Sequence, residues 1–452
     1  MSLPLPPSPS ALLDTVRGHA EVAEAAWRSG DPAKLSDGLR ACDEALTAVQ
    51  LGLVKTAPDE TVVLPVAFAE MAQHVWLQRG HMLDALASIQ GETKWVVEAL
   101  RSYDQAIGLG QKLSSEVGFM VVAWISRGKG LQRLGSPEAI TEALRCYDQA
   151  IAVVGEPNDA MPFELRNTLG AALMGRAGLL QRGGGAAGLV GARQSLEQAV
   201  VCLQGCVDHP LARRNLSSAL TNLGLVQQEA GDVAAAVDAQ AQALAIIDEF
   251  WITDPEAVRV ERATILLNLG QAQCAAHETP AGVASLRLAI SSAGERARAE
   301  PAAADTVLRS LHALAVTLGA QVAAAAPGEA SRATWLAEAS DAVEDGLKLI
   351  NGWGERAGWF AAIGNRLFDF GAWFYRTQQP QFLGEFLLEH LGQDPERARI
   401  AASAVQATRE AITQRSFSGV THDAMERALD ILQSMSEVNE RLKSLTVPAV
   451  SA

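Results

Sequence analysis

Small and aliphatic residues recur at helical spacing in a twelve-residue phrase that this chain repeats along most of its length. The two clearest copies are "ALRSYDQAIGLG", from Ala99, and "ALRCYDQAIAVV", from Ala143. Looser copies start at Gly38, Gly191, Ala236 and Gly282. Each opens on a small residue, places an alanine seven positions on (eight in the copy from Gly191), and follows it with Leu, Ile or Val. Those alanines are Ala45, Ala106, Ala150, Ala199, Ala243 and Ala289, spaced by 61, 44, 49, 44 and 46 residues. A seventh, looser copy from Ala339 puts Gly346 in the alanine's place, 57 residues further on. A seven-residue interval returns to the same face of an α-helix, so each copy marks one helix with a small-residue contact stripe. A glycine precedes five of the copies, at Gly80, Gly128, Gly175, Gly224 and Gly270. In "WLQRGHMLDA" and "WISRGKGLQR" a tryptophan stands four residues before that glycine and an arginine immediately before it.

Gly224 and Ala236, like Gly270 and Gly282, are 12 residues apart. Two small residues at that spacing, one on each of two helices joined by a short turn, predict a tight helical hairpin. In "TNLGLVQQEAGDVAAAVDAQAQALAII", from Thr221, the expected turn is Gly231-Asp232, where glycine ends one helix and aspartate opens the next. This pattern resembles the tetratricopeptide-repeat family, most cleanly at Asn222, Leu223, Gly224, Ala236 and Ala243, then at Asn268, Leu269, Gly270, Gly282 and Ala289. The resemblance covers roughly residues 13–351. Units of 44 to 61 residues exceed the usual period of about 34 and are similar to the long repeats of kinesin light chains. The resemblance implies an all-α, right-handed superhelical solenoid of antiparallel hairpins, each burying its apolar face on the next.

Residues 1–12, rich in proline, are expected to form a disordered lead, and 13–351 the repeat array. Between residues 351 and 390 lie 10 of the chain's 23 aromatic residues, which sets off 352–391 as an aromatic-rich hairpin. Residues 392–446 read as C-terminal capping helices joined by "RSFSGVTHD", and 447–452 as a tail. Helical spacing puts Trp359, Ile363, Leu367, Phe370 and Phe374 against the last repeat. Phe360, Phe368 and Tyr375 fall off that stripe, which makes them either core covered by the C-terminal helices or a second interface.

Composition narrows the function. A formal charge of −15, from 37 basic against 52 acidic residues, argues against nucleic acid as the main partner. Five dispersed cysteines imply no disulfide framework and fit a reducing compartment. The stretch "LHALAVTLGAQVAAAA" reads as too short and too weakly apolar to span a bilayer. A cytoplasmic protein is expected. "SRGKGLQ" lacks the spacing of a phosphate-binding loop, and "RGGGAAG" has no strand before it. Cys202, Cys206 and His209 could offer three soft ligands at helical spacing, but buried small residues of a packed helix explain them better. No catalytic constellation emerges, so no enzyme, cofactor or metal is expected.

What remains is binding. In the tetratricopeptide family the first helix of each hairpin lines the inner groove. With the repeated glycine as reference, the groove positions here are His81, Asp84, Lys129, Gln132, Arg133, Arg176, Thr221, Gln228 and Gln271. Lys129, Arg133 and Arg176 would make a basic patch suited to a carboxylate-bearing peptide. The expected role is a scaffold or adaptor that binds a protein or peptide. The alternatives are a peptide-sensing regulatory protein and a bacterial kinesin-light-chain-like adaptor on a tubulin-like filament or membrane surface.

Overall fold

The computed structural model describes residues 8–29, 31–51, 65–158, 160–326, 328–414 and 422–446. Among these residues the structure is all helix, and it divides into two compact units at Ala230. The first holds α1 (Pro9–Arg28), α2 (Pro32–Leu51), α3 (Val66–Gln90), α4 (Thr93–Leu113), α5 (Val117–Leu134), α6 (Pro137–Val154), α7 (Phe163–Gly183), α8 (Gly185–Gln204) and α9 (Pro210–Glu229). The second holds α10 (Val233–Thr253), α11 (Pro255–Ala275), α12 (Thr279–Ala293), α13 (Pro301–Ala324), α14 (Ala330–Asn351), α15 (Ala361–Gln378), α16 (Leu383–His390), α17 (Pro395–Gln414) and α18 (His422–Thr446).

Sequential helices pack as antiparallel pairs: α1 with α2, α3 with α4, α5 with α6, α7 with α8, α11 with α12 and α13 with α14. The first helix of each pair also meets the first helix of the next, as α5 meets α7 and α11 meets α13. Every copy of the alanine phrase lies on an even-numbered helix and every repeated glycine on an odd-numbered one. The reason for the small residues is close approach. Any side chain at Gly80 would collide with the Tyr103 ring, and any at Gly175 with the Tyr147 ring. Gly270 and Gly282 face each other across the α11–α12 hairpin; a Cβ on Gly270 would lie 2.9 Å from the Gly282 carbonyl oxygen. Tyr103 and Tyr147, the tyrosines of the two matched phrases, are fully buried.

Local signals set the helix ends. Ser136 caps α6 by accepting from the Ala139 amide (3.2 Å), with Pro137 as the first helical residue. Asp254 and Pro255 open α11 in the same way. Gly91 and Gly135 end α3 and α5 at φ +69° and +70°, where a side chain would be strained.

The structure corrects three expectations. Helix α1 begins at Pro9, inside the proposed lead, because Ser8 accepts from the Ala11 amide and Pro9 suits the first turn. Residues 1–7, the "RSFSGVT" turn and the tail at 447–452 lie outside the described residues. The alanine-rich stretch belongs to the 24-residue α13, which is long and apolar enough to cross a membrane. Here it serves as a core helix of the second unit, where Leu308, Leu311, Leu314 and Leu318 are buried. Lastly, Trp359 is not on the inward stripe. It is 63% exposed, because residues 354–360 form a 3₁₀ turn and the α-helical count begins only at Ala361. The rest of that stripe does face the preceding pair: Leu367 packs on Gly346 of α14, and Phe370 and Phe374 on Gly319 of α13.

Phe360, Phe368 and Tyr375 are buried in the same unit. Phe368 stacks on Phe386 of α16 at 5.4 Å between ring centroids, and Tyr375 meets the same ring at 4.8 Å. Phe360 packs edge-on against Trp353, whose indole N–H donates to the Ala297 carbonyl at 3.1 Å. These three rings are covered from within and offer a partner no surface. For Phe368 and Tyr375 the physical reason is α16, which lays Phe386 over the face of α15 that points away from the repeats.

Candidate functional site

The repeated arginine explains much of the first unit's side-chain geometry. Arg79 of α3 donates from Nε to Asp43 of α2 (2.9 Å) and from Nη1 to Ser102 of α4 (2.9 Å). Arg127 of α5 donates to Asp104 of α4 (2.7 Å) and, on its own hairpin, to Glu142 (2.9 Å) and Cys146. Arg176 of α7 donates to Asp148 of α6 and to Ser195 of α8, both at 2.8 Å. Each arginine thus straps the second helix of one hairpin to both helices of the next. The second unit repeats the device in Arg262, which bonds Asp248 of α10 and Ser292 of α12.

Arg176 is therefore not on the groove face where the glycine register placed it. Its partners are those of Arg79 and Arg127, so the residue after it, the buried Ala177, takes the place of Gly80 and Gly128. Gly175 and Ala177 are both small and stand two residues apart, so the glycine register is displaced by two positions on α7. In the corrected register, Gln181 and Arg182 occupy the groove positions of α7.

On α3 and α5 the expected residues do come together. Arg133 donates from Nη1 to the Asp84 carbonyl at 2.7 Å, with the Asp84 carboxylate at 3.4 Å. Tyr103 donates its hydroxyl to the other Asp84 oxygen at 2.9 Å. Burial pushes the Asp84 carboxyl above the usual range, only partly offset by the Tyr103 bond and the nearby Arg133 and Lys129. His81 shares a hydrogen bond of 2.9 Å with Ser126 and stacks on Trp27 at 5.5 Å. Its pKa is lowered to about 4, first by burial and then by Lys129, so the imidazole is neutral at pH 7. Gln132 turns into its own hairpin and donates to the Tyr147 hydroxyl at 3.1 Å. Arg182 acts on the same hydroxyl electrostatically. Further along the face, Gln181 donates to Glu229 of α9 at 2.8 Å, and Thr221 bonds its own helix at Ser217. Gln228 is half-buried on α9, and Gln271 is half-buried on α11 of the second unit.

The result is a first-helix face on α3, α5 and α7 with a Trp27–His81 aromatic step and exposed cations. Lys129 and Arg182 are exposed and make no ion pair among the described residues. Most arginines of the first unit, by contrast, are engaged with carboxylates.

The cysteines are free, and Cys42, Cys146, Cys202 and Cys206 are buried. Burial pushes the Cys202 thiol up to about 11 and the Cys42 thiol to about 12, so neither is a ready thiolate. The Cys206 thiol points at the Leu203 carbonyl and the His209 ring stacks on Phe163 at 3.8 Å. Cys202, Cys206 and His209 thus serve packing. The one group of metal-compatible side chains among the described residues is Glu344, Glu389 and His390, whose nearest ligand atoms lie within 4.8 Å of one another. There His390 Nε2 is already engaged by Glu344 at 2.8 Å, and Glu344 also accepts from Tyr375. This group was not legible in the sequence, since its members come from α14 and α16.

No family model matches the chain, and no curated protein matches it. Among solved structures, the apo form of RapI matches over 95% of this chain and 98% of its own, at 9% identity and a TM-score of 0.52. BtubC (BKLC) from P. vanneervenii covers 63% of this chain and 92% of its own at 15% identity and a TM-score of 0.39. A Rap protein complexed with Competence and Sporulation Factor covers 97% and 100% at 10% identity and a TM-score of 0.41. At such identities the likeness is one of fold. That fold is an all-α, tetratricopeptide-like array of antiparallel helical pairs.

Proposed function

We propose that this tetratricopeptide-like chain is a peptide-sensing regulatory protein, binding an acidic peptide on the first-helix face of α3, α5 and α7. One observation carries the reading. Lys129 and Arg182 stay exposed on that face beside Arg133, with no ion pair among the described residues, in a chain of net charge −15 whose other arginines are largely satisfied; Arg182 Nε donates only to the Gly178 carbonyl of its own helix, at 3.0 Å. Exposed cations on rigid helices recognise carboxylates, and the Trp27–His81 step offers a flat apolar platform next to them. Neutral His81 adds no charge of its own at pH 7. The likeness in fold to RapI takes in 95% of the chain, hence the helices beyond the repeats. This favours a receptor that uses its whole length over a scaffold of repeats alone. The role is binding, with the carboxylate of Asp84 tied to Arg133 and Tyr103 as a structural anchor.

The test is a fluorescence-anisotropy screen of labelled decapeptides of graded charge. Acidic peptides should bind, and the Lys129→Glu/Arg182→Glu double variant should lose at least about tenfold in affinity, some 1.4 kcal/mol, with its melting temperature retained. A preference for neutral or basic peptides, or equal binding by the double variant, overturns the reading. For a sensor, hydrogen exchange should slow beyond the contacted helices when peptide is bound.

A further inference from the structure

We infer that the second unit holds a separate oxyanion-binding cleft, built for a peptide that carries a carboxylate or phosphate beside a bulky apolar side chain. The cleft has a volume of about 650 Å³ and lies between α13, α15 and α17, three helices that pack in succession. Its chemistry comes from one face of α15. Arg366, Phe370, Trp373 and Arg376 follow one another at intervals of four, three and three residues, so all line the same side. His312 of α13 and Arg399 of α17 complete it.

Charge decides what fits. Arg366 and Arg376 form no ion pair among the described residues, while Arg399 is held by Glu396 at 2.5 Å. The single carboxylate in the lining is Asp369, against three guanidinium groups. Burial, and secondarily Arg366, push His312 below its ordinary value, so that ring stays neutral at pH 7 and can donate or accept a hydrogen bond. Planar guanidinium groups match carboxylate and phosphate oxygens in pairs. Trp373 is 38% exposed at the centre of the row, a large apolar surface left open between two unpaired cations. Such a ring favours a ligand that places an aliphatic or aromatic group next to its anion.

The inference takes the ligand class from the peptide-binding reading, but its site lies in the other unit and is tested separately. The full chain is labelled with 5-fluorotryptophan, and the Trp373 resonance is assigned through Trp373→Phe. Three blocked pentapeptides are titrated: Ala-Ala-Asp-Leu-Ala, Ala-Ala-phosphoserine-Leu-Ala and the neutral Ala-Ala-Asn-Leu-Ala. The Trp373 resonance should shift and saturate with one or both anionic peptides and stay fixed with the neutral one. Which anionic peptide acts distinguishes carboxylate from phosphate. Arg366→Gln/Arg376→Gln should weaken the effect at least tenfold, whereas Lys129→Glu/Arg182→Glu should leave it intact. No shift with either anion, an equal shift with the neutral peptide, or an unchanged response in the Arg366/Arg376 variant overturns the inference. Arg366 is exposed and Arg376 half-buried, and a matching melting temperature verifies that the variant is folded.

Discussion

Arg127 of α5 donates to Asp104 across a repeat boundary at 2.7 Å while its other nitrogen reaches Glu142 and Cys146 on its own hairpin. The guanidinium is 18% exposed, against 70% for Arg101, whose pairing with Glu98 stays within one helix. A partly buried fork that joins three helices stabilises far more than a solvated i,i+3 pair. Arg127→Met should cost about 1–2 kcal/mol, and Arg127→Lys nearly as much because an ammonium cannot span both partners. Arg101→Met should stay within about 0.5 kcal/mol. Urea unfolding of the three variants compares them directly; equal effects for Arg127→Met and Arg101→Met would remove the strap from the account.

Two glycines of α7 separate packing from propensity. Gly175 lies under the Tyr147 ring, whereas a Cβ on Gly178 would meet nothing within 4 Å. Gly175→Ala should therefore destabilise by about 1–3 kcal/mol through overpacking. Gly178→Ala should stabilise by about 0.5–1 kcal/mol, since alanine restricts the unfolded chain and prefers the helix. Thermal melting gives both signs. A stabilising Gly175→Ala would show that the two helices can part without cost.

The same helix shows what the sequence could and could not convey. Alanines and glycines at fixed spacing exposed the hairpins, because close helix contact admits few residue types. Nothing local distinguished Gly175 from Ala177, since both are small and two residues apart. Only the three-dimensional partners of Arg176 settle the register. Arg182 and Arg366, both exposed, and the half-buried Arg376 were equally silent: surface arginines follow no apolar pattern, and their lack of acidic partners among the described residues is a property of the folded surface. Trp359 was misplaced for another reason, the change from 3.0 to 3.6 residues per turn at Ala361. Buried Phe368 and Tyr375 could not be told from an interface until α16 was seen to cover them.

His81 should make the first unit acid-sensitive. Its pKa falls from 6.5 to about 4 on folding, so the unfolded chain takes up the proton first. Stability is complete above about pH 6.5 and declines as pH drops toward 4, by a few kcal/mol at most. Asp84 acts in the opposite sense, because its raised folded-state pKa favours protonation in the folded protein at lower pH. His81→Phe keeps a ring on Trp27 but cannot titrate. Its melting temperature should fall less steeply than that of the unaltered protein between pH 6.5 and 5. Parallel curves would mean that the buried imidazole protonates as readily in the fold as outside it.

The aromatic segment offers the sharpest test of core against interface. Phe368 is wholly enclosed, stacked on Phe386 and 5.7 Å beneath the Arg397 guanidinium, whereas Trp359 stands 63% exposed one 3₁₀ turn away. Truncating Phe368 removes a large ring from a packed site and leaves a cavity between α15 and α16. Phe368→Ala should cost about 3–5 kcal/mol and be felt throughout the second unit. Trp359→Ser removes a ring that contacts Trp353 only from outside, at 6.2 Å between centroids, and should cost less than about 1 kcal/mol. Tyr375→Phe removes only the hydroxyl, with its 3.3 Å contact to Glu344 and its interaction with Ser340, and should lose about 1 kcal/mol while the ring remains packed on Phe386. The order Phe368→Ala, Tyr375→Phe, Trp359→Ser in declining severity is the signature of a covered core. If Phe368→Ala left a stable monomer while Trp359→Ser unfolded it, α16 would not be the lid that the structure shows.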